Sequence, residues 1–155
     1  MKILLPFDGS ETALKAVHVV INLKTSGLQT EVVLANVQEP ASLYELMVAH
    51  DPQVIEQVSA QAGANILLGA RALLDEAAIS YETEVATGDP AHTLIDILEN
   101  YGCNLVVMGA SGTSTLRSAL LGSVSNEVLH AAGVPVMIVK NSVADLANED
   151  DNSAD

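Results

Sequence analysis

The chain has 155 residues, the usual size of one domain, and 49% of them are hydrophobic, which excludes disorder along its whole length. Its 20 acidic and 6 basic residues give a formal charge of −14. This charge opposes contact with the phosphate backbone of nucleic acids.

The amino-terminal part of the chain alternates between strand and helix patterns. A short apolar run, Lys2–Phe7, ends at Asp8-Gly9-Ser10, and apolar residues then recur at helical spacing as far as Gly27. Ser10 is the expected N-cap of this helix, and Gly27 is expected to end it. The Val-rich segment Glu31–Val37 predicts a strand that is covered on both faces.

A looser segment, Gln38–His50, contains Pro40 and predicts irregular structure before a long helix. Asp51 and Pro52 supply the N-cap and the first residue of that helix. The helical pattern continues to about Ala78.

The carboxyl-terminal part repeats the alternation. Ser80–Ala86 alternates polar and apolar residues, as expected of a strand at the edge of a sheet. Asp89 and Pro90 then begin a helix that runs to about Tyr101. The remaining predicted elements are an apolar strand Asn104–Met108, a loop rich in Gly, Ser and Thr from Gly109 to Gly122, a helix Ser123–Ala132 and a last strand Pro135–Val139.

This alternation predicts an α/β fold, an open doubly wound parallel sheet of five strands with helices on both faces. The order 3-2-1-4-5 is expected, because it sets the Gly-marked ends of the first and fourth strands side by side. Residues 1–140 are expected to form the single domain. From Asn141 the periodicity is lost, and acidic residues without any Lys or Arg predict a disordered acidic tail over residues 141–155.

Two strand ends carry the residues that suggest a ligand site. In a sheet of this order, ligands bind where the winding reverses, beyond the carboxyl ends of the first and fourth strands. Asp8-Gly9-Ser10 follows the first strand, and the fourth is followed by Gly109-x2-Gly112-x9-Gly122-Ser123. The glycines let the backbone approach a ligand, and the N–H groups at a helix start suit phosphate oxygens. The loop lacks the GxxxxGK[ST] and GxGxxG patterns, which disfavours a P-loop ATPase and a dehydrogenase.

These segments also carry a family resemblance. Met108–Gly112, the nine-residue interval, Leu121–Val124 and Val134–Val139 resemble the C-terminal half of the universal stress protein family, and Ile3–Glu11 resembles its first strand and turn. The resemblance covers residues 2–140 and implies an adenine nucleotide alpha hydrolase-like fold. The Gly-x2-Gly-x9-Gly-Ser spacing resembles the ATP-binding branch of the family.

The resemblance implies a role for each matching position. Asp8 would contact the nucleoside, Val37 would line the adenine pocket, and Met108 and Gly109 would lie by the ribose. The residues that would hold the phosphates are Gly112, Gly122, Ser123, Val124 and Ser125. Ser111 stands where many similar sequences carry Arg or His, which removes one phosphate contact.

Local sequence leaves simpler interpretations of these residues open. Asp8 could cap the first helix, Gly109 and Gly112 could form a turn without a ligand, and Val37 could be ordinary strand core. Arg117 is the one base of the loop and could be a solvated side chain. With so few bases, bound phosphates would need Mg²⁺ or Mn²⁺, and no side-chain metal site is expected. Ser123 is expected to be an N-cap whether or not a ligand binds.

The implied function is that of an ATP-binding, nucleotide-dependent stress-response protein. At most slow ATP hydrolysis is expected, because no general base is evident near the loop and the four histidines are dispersed. One alternative is a nucleotide-free interaction module of the same fold. Another is an ATP-using enzyme of a related α/β fold.

Partners and location follow from composition and from the last strand. Pro135–Val139 is apolar and lies at the predicted sheet edge, so a homodimer through this strand is expected, as the resemblance also implies. A client protein is expected but not identified. Cys103 is the only cysteine, and no apolar run reaches the length of a signal core or a membrane span. These features predict a reduced cytoplasmic protein without membrane or nucleic-acid partners.

Overall fold

The computed structural model describes residues 1–49, 51–111 and 121–142. Its strands are β1 (Lys2–Pro6), β2 (Glu31–Gln38), β3 (Ser80–Thr87), β4 (Leu105–Gly109) and β5 (Val136–Val139). Its helices are α1 (Glu11–Thr25), α2 (Leu43–Ala49), α3 (Pro52–Glu76), α4 (Pro90–Asn100) and α5 (Ser123–Ala131). The strands pair in parallel in the order β3-β2-β1-β4-β5, which confirms the predicted fold class.

Each face of the sheet is covered by two of these helices. One core cluster joins alternate strand residues such as Ile3 and Leu5 to α1 and α3, and the other joins Leu4 and Val33 to α4 and α5. Successive side chains of a strand point to opposite faces. A strand buried on both faces therefore needs consecutive apolar residues, as at positions 3–5 of β1 and 32–35 of β2.

Most predicted helix ends are confirmed. The Ser10 hydroxyl accepts a hydrogen bond from the Ala13 N–H at 3.2 Å, and the Asp51 and Asp89 side chains accept N–H bonds at the starts of α3 and α4. The prediction for Ser123 is wrong. The N-cap of α5 is Gly122, and Ser123 is already the first helical residue.

The segment before α3 is more regular than expected. The prediction of irregular structure over residues 38–50 is wrong for α2, which begins after a reciprocal pair of hydrogen bonds. The Ser42 N–H donates to the Glu45 carboxylate at 2.7 Å, and the Glu45 N–H donates to the Ser42 hydroxyl at 3.3 Å. This capping box satisfies two N–H groups at the helix start.

Part of the predicted tail falls within the structure. The Lys15 ammonium on α1 donates to the Asn141 side-chain oxygen at 2.8 Å. Residues 143–155 lie outside the described residues, so disorder there stays a prediction. Among the helices that the structure describes, none combines the length and the apolar character that crossing a bilayer requires.

Candidate functional site

A cavity of about 330 Å³ lies at the carboxyl end of the sheet, where β1 and β4 are neighbours. This volume is within the range of small-molecule sites. The lining includes eight of the ten predicted site residues: Asp8, Val37, Met108, Gly109, Gly122, Ser123, Val124 and Ser125. The other two, Gly112 and Arg117, lie outside the described residues. The tertiary fold thus brings residues of β1, β2, β4 and α5 to one cavity.

Asp8 lies in the turn between β1 and α1. One oxygen of its carboxylate, Oδ1, accepts a hydrogen bond from the Ser10 N–H at 2.9 Å. The tight turn has a φ of 81° at Gly9, a conformation that glycine adopts without steric strain. Since Ser10 caps α1, Asp8 is not the helix cap. Its side chain is exposed and retains acceptor capacity for a ligand in the cavity.

Three hydrogen bonds hold the exit of β4 at the cavity wall. The Thr12 hydroxyl of α1 donates to the Ser111 carbonyl at 2.5 Å, and the Ser125 hydroxyl of α5 donates to the Gly109 carbonyl at 2.9 Å. Between them, the Gly122 N–H donates to the Ala110 carbonyl at 2.7 Å. We call these three bonds the β4 clasp. The Ser125 hydroxyl therefore donates its proton to the Gly109 carbonyl and not to a ligand in the cavity.

The amino terminus of α5 is open to the cavity. The first N–H groups of a helix have no partner within the helix and favour anions. At α5 the N-cap is Gly122, and no side chain caps these groups. Ser123 and Val124 both line the cavity. Their backbone N–H groups are placed to bind phosphate oxygens or another anion.

Sequence reasoning missed part of the lining. Pro90 and Leu94 of α4 form one wall, and Asn36 of β2 lies deeper in the cavity. The buried Asn36 amide donates to the Phe7 carbonyl at 2.9 Å, and its oxygen accepts from the Gln38 amide at 2.6 Å. A polar residue inside an otherwise apolar strand was the signal that could have identified Asn36.

The described lining is acidic. It includes the carboxylates of Asp8 and Glu39 and contains neither Lys nor Arg. A polyanion in this cavity would therefore need a cation to offset these charges. Within residues 1–49, 51–111 and 121–142, no three His, Cys, Asp or Glu side chains converge to hold a metal ion.

The cysteine and the described histidines lie away from this cavity. Cys103 is buried, and burial raises the pKa of its thiol, which disfavours the reactive thiolate. His18, His92 and His130 are exposed and do not line the cavity. His50 lies outside the described residues.

The β4 clasp yields a testable prediction at Thr12. Replacing this buried threonine with valine keeps its shape but leaves the Ser111 carbonyl without its donor. We expect Thr12→Val to lower the free energy of unfolding by about 1–3 kcal/mol in denaturant titration. Thr12→Ser, which keeps the hydroxyl, should retain more of the stability. Equal losses in the two variants would contradict a role for the hydrogen bond.

Comparison with known proteins places the chain among relatives of similar length. The model of the universal stress protein family matches residues 1–140. The universal stress protein YxiE of Bacillus subtilis is 31% identical over 146 residues, which cover 90% of this chain and 98% of YxiE.

Solved structures agree with this comparison. The structure of MJ0577, a universal stress protein of Methanocaldococcus jannaschii, has a TM-score of 0.79 and 28% identity, with 91% of this chain and 96% of that chain covered. A universal stress protein family protein of Arabidopsis thaliana with AMP bound has a TM-score of 0.67 over 94% of both chains. At 16% identity, this second likeness concerns the fold.

Proposed function

The chain belongs to the universal stress protein family, and on this premise we propose that it binds ATP in the cavity at the carboxyl end of the sheet. The observation that carries the proposal is the uncapped amino terminus of α5 beside the exit of β4. This arrangement offers backbone N–H groups to phosphates in a protein of charge −14, whose described cavity lining contains neither Lys nor Arg. The AMP bound to a protein of the same fold also supports it.

The roles proposed within the site are those that the family motif implies for the matching residues. The Asp8 carboxylate, which can accept further hydrogen bonds besides the one from the Ser10 N–H, contacts the nucleoside. Val37 at the end of β2 packs against the adenine. Met108 and Gly109 lie by the ribose. The phosphates are bound by the backbone N–H groups of Ser123, Val124 and Ser125, whereas the Gly122 N–H stays on the Ala110 carbonyl and Gly122 lets the ligand approach. Gly112 and Arg117, which lie outside the described residues, are assigned to the phosphates by the family motif alone.

Mg²⁺ or Mn²⁺ accompanies the nucleotide in this proposal. Asp8 and Glu39 make the described lining acidic, and a divalent ion on the phosphates removes most of the repulsion. The ion supplies charge neutralisation only. The Ser125 hydroxyl stays on the Gly109 carbonyl, so Ser125 contributes its N–H group.

Calorimetric titration with ATP in excess Mg²⁺ tests the proposal. Asp8→Ala should weaken ATP binding by about 10–100-fold, because it removes the charged carboxylate that accepts a hydrogen bond from the nucleoside. Asp96→Ala removes an exposed carboxylate of α4 outside the cavity and should leave binding unchanged. Absence of binding by any adenine nucleotide would instead favour the nucleotide-free interaction module. Equal weakening in both variants would reject the assignment of Asp8.

ATP hydrolysis is proposed to be slow at most, so that the protein acts as a nucleotide-dependent regulator in the stress response of the cytoplasm. None of the described histidines lines the cavity to activate water, and Asp8 is assigned to the nucleoside, which leaves Glu39 as the one other carboxylate of the described lining. Multiple turnovers at about 1 s⁻¹ or faster would favour the ATP-using enzyme instead.

We further propose a homodimer that pairs β5 with β5 of a second copy. In the described sheet, β5 lies at one edge and pairs on one side with β4. Its outer backbone groups are thus available to another strand. An isologous contact about a two-fold axis would satisfy both edges together.

A lysine at Met137 should break this dimer. Met137 is 37% exposed, whereas Val136 and Ile138 pack on the core, so Met137→Lys tests the interface with the least risk to folding. We expect light scattering to give about twice the chain mass for the unmodified protein and one chain mass for the variant. Leu129→Lys, at an exposed position of α5, should remain dimeric. A monomeric unmodified protein would contradict the proposal.

A further inference from the structure

Helix α2 and the start of α3 present large apolar side chains to solvent. None of the residues of α2 is buried. The exposed fractions are 80% for Leu43, 76% for Tyr44, 76% for Met47, 59% for Val48, and 48% and 64% for Val54 and Val58 on α3. Since α2 packs against α3, we call these six residues the apolar hairpin surface. Grouped exposed apolar residues of this kind mark interaction sites, whereas scattered ones are ordinary.

The sequence specifies this exposed helix locally. Ser42 and Glu45 form the capping box of α2 through two backbone bonds, and the Ser42 hydroxyl also donates to the Glu45 carboxylate at 2.8 Å. A helix of this length is not stable in water by propensity alone. The capping box therefore holds in place a helix whose apolar side chains gain little from the core of their own domain.

The charged residues near the apolar hairpin surface in sequence are all acidic. Between Lys24 and Arg71 the sequence contains neither Lys nor Arg, and His50 is the one residue there that can become positive. The carboxylates near the surface in sequence are Glu39, Glu45, Asp51 and Glu56. Hydrogen bonds from Ser42 lower the pKa of Glu45, which keeps it ionised. A complementary partner is therefore apolar at its centre and basic at its rim.

We propose that the apolar hairpin surface binds an amphipathic helix of another protein, one with an apolar face flanked by Lys and Arg. Leu and Met side chains adapt to such a face, and the carboxylates pair with its basic rim. A second copy of this chain fits less well, because it would set carboxylates against carboxylates on molecules of charge −14. A membrane fits less well too, because helices that lie on lipid surfaces carry Lys and Arg. The proposal does not depend on nucleotide binding.

A labelled peptide of repeated Leu-Lys-Lys-Leu units, which forms a basic amphipathic helix, is the probe. Fluorescence anisotropy in the absence of nucleotide measures its binding. The double variant Leu43→Ser/Met47→Ser keeps the charge of the protein, so any loss reports the apolar contact. We expect it to weaken binding at least about tenfold. Neutralising Glu45 and Glu56 with glutamine should also weaken binding and reduce its dependence on salt.

The control variant is Leu68→Ser, which removes a leucine of α3 that is 56% exposed but lies outside the apolar hairpin surface. It should bind the probe as the unmodified protein does. Three results would overturn the proposal. The first is unchanged binding of the peptide probe by the double variant. The second is self-association of the protein without the probe, and the third is binding to neutral phosphatidylcholine vesicles, if the double variant abolishes either of them. The second result would assign the surface to another copy, and the third to a membrane.

Discussion

Replacing Gly109 with alanine is expected to abolish ATP binding and to lower the free energy of unfolding by about 1–3 kcal/mol, because the added methyl group overpacks a site that is already closely packed. A Cβ atom at this position would lie 2.5 Å from the Thr12 hydroxyl oxygen, 2.8 Å from the Thr12 carbonyl carbon and 2.8 Å from the Ala13 nitrogen. Two of these atoms belong to the backbone of α1, so a change of rotamer cannot relieve the clash.

The loss of binding at Gly109 has a separate reason. The Gly109 carbonyl accepts the Ser125 hydroxyl, so a displacement of the β4 exit also disturbs the start of α5, where the phosphates are proposed to bind. Denaturant titration measures the stability, and calorimetry measures ATP binding. Gly133→Ala is the matched control, because nothing lies within 4 Å of its added Cβ. Unaltered stability of Gly109→Ala would contradict the close approach itself, whatever the ligand.

Two glycines of the same helix should respond in opposite directions to alanine. At Gly63, which is buried, an added Cβ would overlap the Val85 side chain and lie 2.9 Å from the Asn36 side-chain oxygen. Val85 is β-branched and has little freedom to move aside. We expect Gly63→Ala to cost about 1–3 kcal/mol, although alanine is the better helix former.

Gly69→Ala is the internal control. Gly69 is exposed on α3 and has nothing within 4 Å of an added Cβ, so only helix propensity should change. The expected gain is about 0.5–1 kcal/mol. Denaturation midpoints of the two variants measure the contrast. Stabilisation by both substitutions would show that α3 does not approach β2 and β3 as closely as the structure describes.

Much of the fold could be predicted from the sequence because its signals are local. The apolar runs of β1, β2 and β4 indicate strands covered on both faces, and Ser10, Asp51 and Asp89 mark helix starts by their side-chain chemistry. The alternation indicates a parallel sheet with right-handed crossovers. The order was predicted by setting the two unusual strand ends side by side where the winding reverses. That order brings Asp8 and Gly109 to one edge, so most of the candidate site was also predictable.

Helix α2 shows why periodicity can fail. Helical periodicity appears in a sequence when one face of the helix is buried and the other is solvated. In α2 no residue is buried, and six of its seven residues are apolar or aromatic, so no alternation of an apolar and a polar face appears in its sequence. The capping box formed by Ser42 and Glu45 was the one local signal, and Pro40 just before it favoured an irregular segment.

The sequence by itself determined the strands, the helices other than α2 and the glycine-rich strand end of this protein, because these depend on neighbouring residues. The unusual residues at two strand ends also indicated the sheet order. Only the tertiary structure decided which glycines lie too close to their neighbours for a Cβ atom, that Ser125 donates to the Gly109 carbonyl, and that Pro90 and Leu94 line the cavity. The physical reason is that these properties depend on distances of a few ångströms between segments far apart in the chain. Packing of whole elements sets such distances, and no local pattern of residues records them.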